Sequence, residues 1–263
     1  MTTLALVSAK GSPGTTMAAL ALAVQWPRPV AVVDVDPAGG DVLYRVRDEA
    51  GGPLDPDRGL LSIGAALRRG AGETTLADHL QETAFGFPVL CGVPSPEQLA
   101  GIGGAWVHLP QVLTDHPGDV LVDAGRITTS SPVMGLVSQA DVVCAVVRPD
   151  LEGSAHLRTL LRSLQAPLRV GQAGAPQLCV LAVTAYKDTA AVPDLQRLLD
   201  HEGLPARVVG ALARDDKGAR LLSSARVGSV ARSVLARSAI EPVERLAATP
   251  TRQPGPTGLA GRS

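Results

Sequence analysis

Aromatic residues make up only 2% of the 263 positions, and lysine is scarcer still: of 24 basic residues, only Lys10, Lys187 and Lys217 are lysines. With so few rings, valine, leucine and alanine must fill a core drawn from the 45% of residues that are hydrophobic. Aliphatic runs of that kind suit parallel strands buried on both faces. Net charge is lacking too. A formal -1 gives no global field to attract nucleic acid or a membrane. The three cysteines, Cys91, Cys144 and Cys179, each lie inside an apolar run with no C-x-x-C pair, and read as buried, reduced thiols of a cytoplasmic protein. The histidines show no metal-ligand spacing. No stretch approaches the roughly 18 uninterrupted apolar residues of a membrane span, and the first apolar run is too short for a signal peptide. These absences argue against a disulfide scaffold, a His/Cys metal centre and a membrane-spanning chain.

What is present is alternation. Aliphatic runs at Thr3–Ser8, Val30–Val35, Phe87–Val93, Asp119–Asp123, Asp141–Val147, Gln177–Val183 and Ala206–Gly210 read as strands. Between them, apolar spacings of three and four at Thr16–Gln25, Leu151–Leu164 and Val192–His201 read as helices. The pattern predicts an α/β fold: a doubly wound, mainly parallel sheet with helices on both faces and right-handed crossovers. Its chemistry should lie at the carboxyl ends of the strands. Residues 1–248 read as one domain, and 249–263, rich in Pro, Gly, Thr and Arg, as a disordered tail.

The first strand runs into AKGSPGTTM, residues 9–17. A phosphate loop of the form G-x-x-x-x-G-K-[ST] cradles phosphates with backbone N–H groups ahead of a helix N-terminus. Gly11 and Gly14 supply the turns, Ser12 lies between them, Pro13 removes one donor but stiffens the loop, and Thr16 stands where a hydroxyl ligates Mg²⁺. Thr15 stands where the lysine belongs, and Lys10 is the one lysine nearby.

Two carboxylate strands accompany the loop. VVDVDPAGGDV, residues 32–42, ends a strand with Asp34 and Asp36, which period-two geometry points to one face. DVLVDAGR, residues 119–126, is an apolar strand ending at Asp123 before a Gly-containing loop. Carboxylates so placed hold a metal's water shell or orient an attacking water.

Loop, VDVDP, VLVDAG and ADVVCAVVRPD (140–150), with VVGALARDDKGARLL (208–222), resemble the ParA/MinD-type ATPases of the deviant Walker A group over roughly residues 1–247. The match is loose at 45–118. The resemblance implies ATP or ADP with Mg²⁺, and a homodimer closing on two ATP molecules. Lys10 would be the signature lysine that reaches the partner's phosphates. Asp36 would orient water, and Thr16, Asp34 and Asp123 would surround the metal. It further implies a positioning role read by a protein partner that recruits the chain to the pole, nucleoid or inner membrane.

The departures point to weak or lost hydrolysis. Thr15 removes the cation spanning the β- and γ-phosphates, a deficit of about 10²–10³ in rate by comparison with other electrostatic donors. Lys10 would either replace it in its own subunit or act across the dimer. Thr184-Ala185 stands where many relatives carry an adenine-reading Asn. Atypical loops occur in the TadZ/CpaE-like branch of pilus and secretion systems, which the linker at 92–106 resembles. The alternatives are an active chromosome- or plasmid-partitioning or division-site ATPase, and a metabolic enzyme activating a small substrate. Basic residues in 214–245 (Arg214, Lys217, Arg220, Arg226, Arg232, Arg237, Arg245) could hold DNA non-specifically. The Pro/Gly-rich end argues against direct membrane insertion.

Overall fold

A computed structural model describes residues 1–10, 14–70, 74–222 and 227–250. Expectations for Gly11, Ser12, Pro13, Arg226 and residues 251–263 lie outside the described residues.

Seven parallel strands form one sheet in the order β3-β2-β4-β1-β5-β6-β7. They are β1 (Thr3–Ser8), β2 (Val30–Asp34), β3 (Val89–Leu90), β4 (Asp119–Arg126), β5 (Val142–Val147), β6 (Gln177–Thr184) and β7 (Arg207–Ala213). Alternate side chains along each strand feed two cores. Val120, Val122 and Ala124 of β4 belong to the core on one face, which the helices Leu60–Arg68, Met134–Gln139, Leu151–Leu164 and Ala191–His201 cover. Leu121 turns to the other face, toward the helices Thr15–Gln25, Val234–Ser238 and Ile240–Ala247.

The helix Thr15–Gln25 is apolar nearly all round, which fits a helix enclosed on several sides. Its alanines favour the helix and let it lie close to β1, β2 and β4 beneath the C-terminal helices. Trp26 ends it, donating its indole N–H to Asp119 at 2.8 Å. On the opposite face, Leu157, Leu160, Leu161 and Leu164 give the helix Leu151–Leu164 its buried stripe, and the Asp150 carboxylate caps its start by accepting from the Gly153 N–H at 2.7 Å. Among the described residues, no helix is long and apolar enough to cross a membrane. The helix Ile240–Ala247 covers its apolar side by burying Pro242, Val243 and Leu246.

Three strands depart from their expected bounds in ways that matter. β3 shrinks to two residues because Pro88 has no N–H to donate and the chain turns away at Gly92. β7 runs on to Ala213 beside β6. β4 does not stop at Asp123 but continues to Arg126. Its register against β1 shifts between the pairs Leu6–Asp123 and Ser8–Arg126, and Gly125 takes a left-handed φ of 55° at that irregularity. Ser8 secures the shifted segment by donating its hydroxyl to the Gly125 carbonyl at 3.2 Å.

Candidate functional site

The strand order brings the carboxyl ends of β2, β4, β1 and β5 together, and with them most of the residues singled out by sequence. Gly14 sits at φ 102°, ψ 38°, a left-handed conformation that a side chain would strain, and from there the helix Thr15–Gln25 begins. The Thr15 side chain is buried, with 6% of its surface exposed, whereas Lys10 is exposed at the far side of the loop. Thr16 points back to the sheet and donates its hydroxyl to Asp123 Oδ2 at 2.5 Å; Asp123 Oδ1 accepts from the Gly125 N–H at 3.1 Å.

Asp34 and Asp36 take different places. Asp34 pairs in register with Asp123 and is 0% exposed. One of its oxygens accepts from the Asp36 N–H at 3.2 Å and the other from the Val42 N–H at 3.1 Å. Only glycine fits on either side of it: a β-carbon on Gly40 would lie 2.6 Å from Asp34 Oδ2, and one on Gly92 would lie 2.8 Å from its carboxyl carbon. Asp34 thus sits under the turn that carries Asp36. Asp36 lies beyond the end of β2, is partly exposed, accepts from the Ala38 N–H at 2.8 Å, and covers Gly125.

Burial dominates the electrostatics here. It pushes the carboxyls of Asp34, Asp123 and Asp36 above the usual carboxylate range. The Asp123 charge adds to the rise at Asp34, and the Thr16 hydroxyl opposes the rise at Asp123. Among the described residues, none of the ion pairs involves these three carboxylates. A cluster of carboxylate and hydroxyl oxygens lacking a protein cation fits a hard divalent ion held through water, as Mg²⁺ usually is. Among the described residues, no three His, Cys, Asp or Glu side chains come together as direct ligands for a metal ion.

Sequence reasoning missed three contributors. Gly40 and Gly92 wall Asp34, and the PAGG and CGVP turns were the available signal. Arg148, in the stretch VVRPD, stands exposed just beyond β5. It lines a cavity of about 320 Å³ with Lys10, and a second of about 150 Å³ with Gly14 and Met17. Elsewhere, Arg214, Lys217, Arg220, Arg232 and Arg237 are exposed, while Arg245 is engaged by Glu241 and the Val209 carbonyl. All three cysteines are buried and free, their thiols pushed up by burial, to about 12 at Cys91 and Cys179.

No protein-family profile matches the chain, and no curated protein matches it. Solved structures do. The cell division ATPase MinD of Pyrococcus furiosus is similar at a TM-score of 0.70 and 20% identity, over 94% of this chain and 98% of that one. A ParA family ATPase from Chlorobium tepidum is similar at 0.68 and 17%, over 93% and 98%. Cobyrinic acid a,c-diamide synthase from Mycobacterium smegmatis, solved with ADP and magnesium, is similar at 0.64 and 18%, over 94% of each. With seven parallel strands and Gly14 opening the helix Thr15–Gln25 that follows β1, the chain has the α/β P-loop fold shared by ParA- and MinD-type ATPases.

Proposed function

We propose that this chain is a ParA/MinD-like positioning protein that binds ATP or ADP with Mg²⁺, dimerises on ATP, and hydrolyses it slowly or not at all. The observation carrying this reading is the Thr16–Asp123 hydrogen bond at 2.5 Å, made directly after Gly14 and beside Asp36. On this reading the contact would be the metal side of a nucleotide site, whose phosphate side has Thr15 in place of the lysine. Bound Mg²⁺ would neutralise phosphate charge. Thr16 and Asp123 would hold it, with Asp34 behind them supporting the turn. Asp36, partly exposed beyond the end of β2, would orient water. Lys10, exposed, would serve a second subunit.

Slow hydrolysis suits a protein whose nucleotide state is read by others. A pilus or secretion apparatus, as in the TadZ/CpaE-like branch, is the cargo class that the altered loop favours. An active partitioning ATPase is the alternative, supported by the exposed cations Arg214, Lys217, Arg220, Arg232 and Arg237, which would meet DNA phosphates.

Purified protein with Mg²⁺-ATP tests this directly, with binding followed by calorimetry, turnover by phosphate release and mass by sedimentation. Weak binding with a monomer-to-dimer shift and little phosphate release is expected. Turnover matching a P-loop ATPase that keeps its lysine would overturn the scaffold reading in favour of the partitioning one. No binding at millimolar nucleotide would overturn both.

A further inference from the structure

A cavity of about 240 Å³ lies against the helix Leu151–Leu164 and has a chemistry of its own. Its floor is apolar: Ala9, just beyond β1, with the buried Ile127 and Leu160. One wall is the segment after β4, with Thr128 and Thr129; the other is the helix, with His156, Thr159 and Ser163. Spacings of three and four put those last three side chains on one helix face. Ala9 and His156 also line the cavity of about 320 Å³, so the two are neighbours. Asp150 and Glu152 line the larger one, whereas no Asp, Glu, Lys or Arg lines the smaller. The helix's own cations turn elsewhere, because Arg158 and Arg162 both pair with Glu202.

On the helix side the hydroxyl protons are already committed. Thr159 donates to the Ala155 carbonyl at 3.1 Å, and Ser163 to the Leu160 carbonyl at 2.8 Å. A hydroxyl has one proton and two lone pairs, so both face a ligand as acceptors. Among the described residues, the Thr129 hydroxyl and the His156 ring make no hydrogen bond, and either can donate. We propose that this cavity binds an uncharged small molecule carrying a carboxamide. Its NH₂ group donates to Thr159 and Ser163, its carbonyl accepts from Thr129 or His156, and its apolar body rests on Ile127 and Leu160. A primary amide brings two donors and a carbonyl acceptor, which is the complement of this set. A carboxylate of the same shape brings acceptors alone and would meet the lone pairs of Thr159 and Ser163. An apolar floor with a few placed polar groups is the usual make-up of a small-molecule site. The proposal needs no nucleotide, so it stands or falls apart from the reading of the phosphate site.

Nicotinamide and nicotinate are the probes, since they share a ring and differ in amide against carboxylate. Each is titrated into protein labelled at its threonine methyl groups and followed by NMR. Nicotinamide should shift the Thr129 and Thr159 methyl signals saturably, and nicotinate should bind about tenfold more weakly or worse. Thr159→Val keeps the shape of the side chain and removes one acceptor, and Ser163→Ala removes the other. Read at the Thr129 methyl, the double variant should bind nicotinamide about tenfold more weakly. It should melt with wild type, because both residues are exposed. No saturable shift with nicotinamide, equal binding of the two probes, or full affinity in the double variant would each overturn the proposal. Should the double variant melt early, the comparison of the two probes in wild type still decides.

Discussion

The Asp36 carboxylate occupies the space over the α-carbon of Gly125: a β-carbon built there would lie 2.0 Å from the Asp36 carboxyl carbon. Two carboxyl-end segments, one after β2 and one within β4, are thereby locked together, and the residue expected to orient water is held by backbone contact. Gly125→Ala should cost about 2–4 kcal/mol, from the collision and from the left-handed φ of 55°. In an Asp36→Ala background only the backbone strain should remain, about 1–2 kcal/mol. Urea midpoints of the four proteins form the cycle. A cost that stays the same without Asp36 would show that the contact carries no energy.

Thr16 and Asp123 make the contact on which the proposed metal site depends. Thr16→Val removes the donor facing a carboxylate that is 0% exposed, and without ligand should destabilise the fold by about 1–3 kcal/mol. Its informative effect is on metal dependence. Wild type should bind nucleotide more tightly with Mg²⁺ than with EDTA, and that difference should collapse in Thr16→Val. A variant keeping the full Mg²⁺ effect would remove Thr16 from the site.

The strands were legible because aliphatic runs of five to eight residues have few other uses. The meeting of Thr16 with Asp123 was legible because Thr16 lies in the first turn of a helix and Asp123 on an apolar strand. What could not be read was adjacency. That β1 lies between β4 and β5 is a property of the whole sheet, and it alone brings Arg148 to Lys10 and Gly14. The extension of β4 past Asp123 depends on Gly125 meeting Ser8 and Asp36 across the sheet, which leaves no local pattern. Period-two reasoning joined Asp34 to Asp36, but the strand ends between them, so one is buried and the other partly exposed.

At the opposite end of the sheet, Asp119 gives a pH dependence whose sign is fixed. Burial acts to raise its carboxyl, but the Trp26 indole, the Thr2 N–H and Arg28 together hold it below the usual range. The unfolded chain, near 3.9, therefore takes up the proton first on acidification. The stabilisation is present above about pH 4 and is lost as pH falls through the folded value. Arg28 is 44% exposed, so its share is screened by salt. Asp119→Asn should be less stable than wild type by about 1–3 kcal/mol at pH 7, with the gap narrowing below pH 4. Urea denaturation at pH 7, 5, 4 and 3 measures it. A gap constant across that range would mean that shape, not charge, matters at Asp119.

Lys10 separates two ways of completing the site. It is exposed and lines the cavity of about 320 Å³ beside the start of the helix Leu151–Leu164. Burying little, it should add nothing measurable to the fold, and Lys10→Ala should melt with wild type in the absence of nucleotide. If Lys10 reaches a second subunit, the variant should bind ATP as a dilute monomer with wild-type affinity, yet fail to show the ATP-dependent rise in mass by sedimentation or light scattering. If instead Lys10 serves its own subunit, affinity should fall at protein concentrations too low for dimers. The two outcomes exclude each other, because one lysine cannot reach both sites at once. A variant that binds and dimerises like wild type would remove Lys10 from either role.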